Sequence, residues 1–208
     1  MKCFTVVVTS FLFITAPAIA QDLGPATDYD WELQTPGRAL FRDRMLIGSV
    51  PLEQKRSRKT PLSKSKARTI AALALYSDFA FVPGDTVRYF AVDLVLTDKE
   101  KPLAFVILDL DELVPFQAAL RYLAKTADNM RNSERTDTQI LFRGKSDWQI
   151  LFRQQGTQQQ IEFHFPAMTS YEEQRRELQV SQVSALADLI DIALDNLKRQ
   201  GVLIPETP

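Results

Sequence analysis

Residues 87–96, Val-Arg-Tyr-Phe-Ala-Val-Asp-Leu-Val-Leu, and residues 103–110, Leu-Ala-Phe-Val-Ile-Leu-Asp-Leu, decide the fold. Both runs are dense in β-branched and aromatic side chains, which fit the pleated surface of a sheet. The six residues between them, Thr97 to Pro102, are polar. A link that short joins antiparallel neighbours, because a parallel crossover needs a dozen or more residues. The period then changes. From Asp111 the apolar positions are Leu113, Phe116, Leu120, Leu123, Ala127 and Met130, a 3-4-3-4-3 spacing that puts one stripe along a helix. Asp111 is expected to cap this helix, with Pro115 in the first turn, where an amide has no intrahelical partner to lose.

Downstream, Ile140 to Arg143, Trp148 to Arg153 and Gln160 to Phe165 read as three short strands turning at Gly144 and Gly156. Ile161, Phe163 and Phe165 share one face of the last strand, and Glu162 and His164 the other. A second helix carries the stripe Val183, Leu186, Ile190, Ala193, Leu194 and Leu197 and stops at Gly201. Its start is open, since Ser170-Tyr171-Glu172-Glu173 fits a capping box and Ser181 or Ser184 fits a later cap. Upstream, Met45-Leu46-Ile47 suggests a first strand. Residues 69–82 carry both helix-favouring alanines and the strand-like alternation of Leu73, Leu75, Phe79 and Phe81, before a turn at Pro83-Gly84-Asp85. Hairpins dominate and no βαβ unit repeats. The expected class is α+β, a mostly antiparallel, curved sheet with one mid-chain and one C-terminal helix packed on it.

The chain opens with Lys2, an apolar run from Phe4 to Ala16, and Ala18-Ile19-Ala20, the small-x-small pattern of a signal-peptidase site. The run is shorter than the roughly 18 residues of a membrane span and is followed by Pro17. Residues 1–20 are therefore expected to be a cleaved signal peptide, residues 21–39 an N-terminal arm, and residues 40–208 one domain with a basic loop at 53–68. Cleavage leaves 24 cations against 26 anions, a net charge of −2 that draws the chain to neither nucleic acid nor membrane as a whole. It also removes Cys3, the only cysteine. With no disulfide, and no N-x-[ST] acceptor at Asn129, Asn132 or Asn196, the expected destination is a bacterial periplasm or the exterior. No integral membrane segment is expected after cleavage.

In the expected mature chain, one histidine and no cysteine exclude Cys-His catalysis and a metal site built on several imidazoles. His164, on the polar side of its strand, is expected to be exposed or hydrogen-bonded. Ser63-Lys64-Ser65-Lys66 matches the S-x-x-K pattern of serine β-lactamases, but lies in a Ser/Lys-rich tract without the companion motifs. Gly144-Lys145-Ser146 echoes the end of a P-loop, yet Gln139 stands where the first glycine is required, which leaves a hairpin turn. No cofactor or metal is expected.

Asp109, Asp111 and Glu112 form the densest acidic group, read as a helix start before an acid–base pair. The strongest compositional anomaly is the set Lys55, Arg56, Arg58, Lys59, Lys64, Lys66 and Arg68 against the single acid Glu53. It can neutralise phosphates but lacks aromatics for stacking bases, so no specific nucleic-acid partner is indicated. These readings favour an exported, non-enzymatic binding or accessory protein of the bacterial envelope, with a protein or an anionic polymer as partner. Two alternatives are a carboxylate-dependent hydrolase acting on an envelope polymer, and a binder of polyanions or anionic membranes through residues 55–68.

Overall fold

The computed structural model describes residues 39–52, 68–82, 85–98, 101–167 and 171–205. The expected signal peptide, nearly all of the arm, the basic loop from 53 to 67, Pro83-Gly84 and Ser170 lie outside the described residues. The chain runs β1 (Ala39–Leu52), β2 (Arg68–Val82), β3 (Asp85–Asp98), β4 (Lys101–Asp109), α1 (Leu110–Met130), β5 (Arg135–Arg143), β6 (Gln149–Gly156), β7 (Gln158–Phe165), β8 (Gln174–Leu178) and α2 (Val180–Arg199). The strands form two antiparallel four-stranded sheets, ordered β1-β2-β3-β4 and β5-β6-β7-β8. The α+β class with a mid-chain and a C-terminal helix holds, and the order is ββββα twice over.

Residues 69–82 are strand. Their alanines favour a helix in isolation, but here they pair with β1 on one side and β3 on the other, and that pairing outweighs propensity. Strand β8 was not expected. It is an edge strand with one buried apolar residue, Leu178, too sparse for a periodic signal. The helix starts also differ from expectation. Asp109, not Asp111, is the N-cap of α1, with Glu112 completing a capping box. Gln179 and Gln182 form the corresponding box on α2, where the expected candidates were serines. Pro115 is consequently the sixth residue of α1, beyond the first turn, so the Asp111 carbonyl loses its i+4 donor.

Register explains the core. Val50, Ile70, Leu96 and Ala104 lie opposite one another across the first sheet, as do Gly48, Ala72, Leu94 and Val106. In the second sheet the corresponding row is Ile140, Phe152, Ile161 and Leu178. Each helix reaches the other repeat's sheet, and α1 also contacts β3 and β4 of its own. Helix α1 follows the first sheet but sets Phe116 edge-on to Trp148 at 4.8 Å and 6.1 Å from Phe163 of the second. Helix α2 follows the second sheet but lies against β1 and β2. There Gln182 Nε2 donates to the Pro51 carbonyl at 2.9 Å. Gly48 allows the close approach, since a Cβ at that position would come 2.7 Å from Leu189 Cδ1. The helices also pack on each other, so the buried residues of both repeats merge into one cluster. Neither ββββα unit covers its own sheet alone.

Helix α2 ends as its sequence requires. Gly201 has φ +80°, and its amide donates to the Lys198 carbonyl at 2.9 Å while Val202 donates to Leu197 at 3.1 Å, a Schellman motif. Among the described residues no helix is long and apolar enough to cross a membrane.

Candidate functional site

The acidic group comes together where β4 becomes α1. Glu112, buried at 8 % exposure, uses both carboxylate oxygens: Oε2 accepts the Asp109 amide at 3.2 Å and Oε1 the Lys145 amide at 2.7 Å. The first bond caps the helix, and the second ties it to the β5–β6 turn. That turn closes with the Gly144 amide on the Trp148 carbonyl at 3.1 Å and the Asp147 amide on the Gly144 carbonyl at 3.2 Å, with Asp147 at φ +57°. Asp is among the residues that tolerate this conformation. Gly144 lies beneath the Trp148 indole, where a Cβ would come within 2.0 Å of the ring. The Lys145 ammonium then bridges Asp109 at 3.2 Å and Asp111 at 3.0 Å.

Burial holds the Glu112 carboxyl above its ordinary range, and the charge of Asp109 adds to the effect. The two backbone amides and Lys145 oppose the rise without cancelling it. Chemically this is a brace. Its carboxylates face backbone donors, and an ammonium already stands between Asp109 and Asp111, where a cation would otherwise go. Among the described residues no group of three or more His, Cys, Asp or Glu side chains is placed to hold a metal ion. The Gly144-Lys145-Ser146 turn is part of this brace, and Lys145 is the residue that sequence reasoning missed; its proximity to the acids depends on a contact across 33 residues.

His164 belongs elsewhere. It lies on β7 opposite Arg175, with Nε2 3.1 Å from Glu173 Oε1. Arg175, hydrogen-bonded to the same oxygen at 2.8 Å, together with His164 holds the Glu173 carboxyl below its ordinary range. His164 is thus tied to an acid in the turn before β8, not to the acidic group at α1.

Of the basic candidates, Lys55, Arg56, Arg58, Lys59, Lys64 and Lys66 lie outside the described residues. Arg68 opens β2, opposite Leu52 on one side and Asp98 on the other, with Nε 3.3 Å from Asp98 Oδ2. A second guanidinium joins it. Arg176 of β8 sits opposite Phe163, on the inward face of the second sheet, within electrostatic reach of both Arg68 and Asp98. Its Nη1 donates to the Arg175 carbonyl at 2.7 Å and its Nη2 to Gln174 Oε1, while Nε is buried with no partner. Burial and the repulsion of Arg68 weaken its hold on the proton, and Asp98 partly offsets them. Only the alternation Gln174, Arg176, Leu178 could have placed Arg176 inward from sequence.

A shallow groove of about 390 Å³ on the α1–α2 surface is lined by Arg121, Ala124, Lys125, Asp128, Asn129 and Ser184. It has the charged, open walls of a helix seam, and small-molecule sites are mostly apolar. Comparison with protein-family models, with curated proteins and with solved structures finds no match to this chain.

Proposed function

We propose that this chain is an exported binding or accessory protein of the bacterial envelope, working in the periplasm or outside the cell, and that its contact surface is the basic tract 55–68. The observation that carries the choice of binding over catalysis is the double use of Glu112. Glu112, a buried acid of the densest acidic group, spends both oxygens on backbone amides of two different elements. A carboxylate-dependent hydrolase needs two carboxyl groups facing a substrate, with one free to take or give a proton. The brace at α1 favours a structural role for the same residues.

The contact surface is read from charge. Seven cations stand within residues 55–68 with no acid among them, whereas the rest of the chain has 18 cations against 26 acids. In the chain the tract falls between the end of β1 at Leu52 and the start of β2 at Arg68. Such a tract binds anionic surfaces by neutralising phosphates, and its hold weakens as salt rises.

Co-sedimentation of the purified chain with phosphatidylcholine vesicles, with and without phosphatidylglycerol, tests the reading. Retention should require the anionic lipid, decline with ionic strength, and disappear on charge reversal at Lys55, Arg56, Arg58 and Lys59. A wild-type chain that ignores the anionic lipid rejects the contact surface. Export is tested separately by the N-terminus of the protein recovered from the periplasm: Gln21 is expected, and an intact Met1 rejects the signal peptide.

A further inference from the structure

The cluster of Arg68, Asp98 and Arg176 carries more charge than it neutralises. Two guanidiniums share one carboxylate, and that carboxylate is engaged by Arg68. Arg176 is half-buried on the inward face of β8, beside Phe163 in register, and a cation partly withdrawn from water there is unfavourable unless anions lie close to it. Its only described bonds are to its own strand, one to a backbone carbonyl and one to the amide oxygen of Gln174. The Nε hydrogen is left over. Nε and Nη2 form the edge of a guanidinium that grips an oxyanion with two parallel hydrogen bonds. Here one donor of that edge is unsatisfied and the other is held by a neutral amide that a phosphate would outcompete.

We propose that Arg68, at the start of β2, and Arg176, on β8, form an oxyanion subsite that takes a phosphate group. The inference rests on reading the chain as a binder of anionic envelope material and names the group recognised. Arg176 grips the phosphate through Nε and Nη2, displacing the Gln174 amide. Arg68, turned toward Asp98, supplies the second charge. Ionisation of the guanidiniums does not limit the site at any ordinary pH.

The test uses the full chain in two arms, thermal denaturation with inorganic phosphate against chloride of equal ionic strength, and co-sedimentation with phosphatidylglycerol vesicles. Phosphate should raise the melting temperature of the wild type where chloride does not. Arg176→Met should weaken phosphate binding about ten- to a hundredfold, the loss expected for a charge-assisted pair. Arg176→Lys, which keeps the charge but not the fork, should restore little of it. Charge reversal at Lys55, Arg56, Arg58 and Lys59 should leave the phosphate response intact, because the subsite lies outside that segment. A phosphate response unaltered in Arg176→Met, or absent from the wild type while vesicle binding is also indifferent to Arg176→Met, overturns the subsite; persisting vesicle binding would then leave the broader reading standing. Vesicle retention that needs Arg176 without a response to free phosphate assigns the site to a lipid headgroup. A phosphate response that needs Arg176 in a chain no vesicle retains supports the subsite and rejects the surface-binding reading.

Discussion

Glu112→Gln is the sharpest perturbation of the brace at α1. The carboxylate accepts amides at 2.7 and 3.2 Å from two elements, and the glutamine amide can present only one oxygen. Its Nε2 would meet the second amide donor to donor. Losing one charge-assisted bond and leaving a buried amide unpaired costs about 1.5–3 kcal/mol, and relief of the buried charge returns about 1. A net loss of about 0.5–2 kcal/mol at neutral pH corresponds to a melting temperature lower by about 1–8 °C for a domain of this size. Because the folded-state pKa of Glu112 is raised above 4.5, folding favours the protonated acid. That contribution is fully present below the unfolded value and is lost as pH rises through the folded one. The stability gap between wild type and Glu112→Gln should therefore be widest in acid and narrow toward neutrality. Other titrating groups are common to both proteins, so the gap isolates this carboxyl. Thermal unfolding followed by circular dichroism across that range measures it. A gap that widens toward neutral pH would mean that the two amide bonds outweigh burial, and an unchanged melting temperature would mean that Glu112 ties nothing together.

Two glycines should respond unequally to alanine. Gly144→Ala drives a methyl into the buried Trp148 indole and should cost about 3 kcal/mol, whereas Gly48→Ala meets only the end of Leu189, which can rotate, and should cost about 1; chemical denaturation giving the opposite order would refute the packing described at both. Gln154, fully buried, donates toward the carbonyls of Met130, Ser133 and Gly156 and accepts from Gln159 at 3.1 Å. Gln154→Leu should cost about 2 kcal/mol and speed hydrogen exchange at the C-terminal end of α1, and unchanged exchange there would count against its role as a tie. Phe163→Ala should cost about 3–5 kcal/mol, because Phe116, Trp148 and Phe165 all pack on that ring; a loss below about 1 would show that the aromatic cluster closes over the gap.

The reach of each helix to the other repeat's sheet bears on what such variants report. Glu112 joins α1 to the second sheet and Gln182 joins α2 to the first, each from the third position of its helix. The two ties are equivalent in place and differ in chemistry, one charged and one neutral. Breaking either should loosen both repeats together, since they share one core.

Local chemistry carried much of the fold in the sequence. The runs at 87–96 and 103–110, the stripes of both helices and the C-terminal Gly201 are visible because hydrophobic period, β-branching and left-handed backbone are properties of a few neighbouring residues. Chain position decided less well at helix starts, because several acids or serines in a row all satisfy a capping rule. Asp109 wins over Asp111 because Glu112 stands three residues after it and reaches back. Residues 69–82 became a strand only once partners existed on both edges, and β8 has too few apolar residues to announce itself. The site was less legible still. The sequence by itself determined which charged residues exist and that seven of them crowd into one tract. Only the tertiary structure decided that Lys145 meets the α1 acids across 33 residues and that Arg176 comes within electrostatic reach of Arg68 and Asp98. The physical reason is range: capping and periodicity act over a turn or two of chain, whereas a charge finds its partner wherever packing brings it.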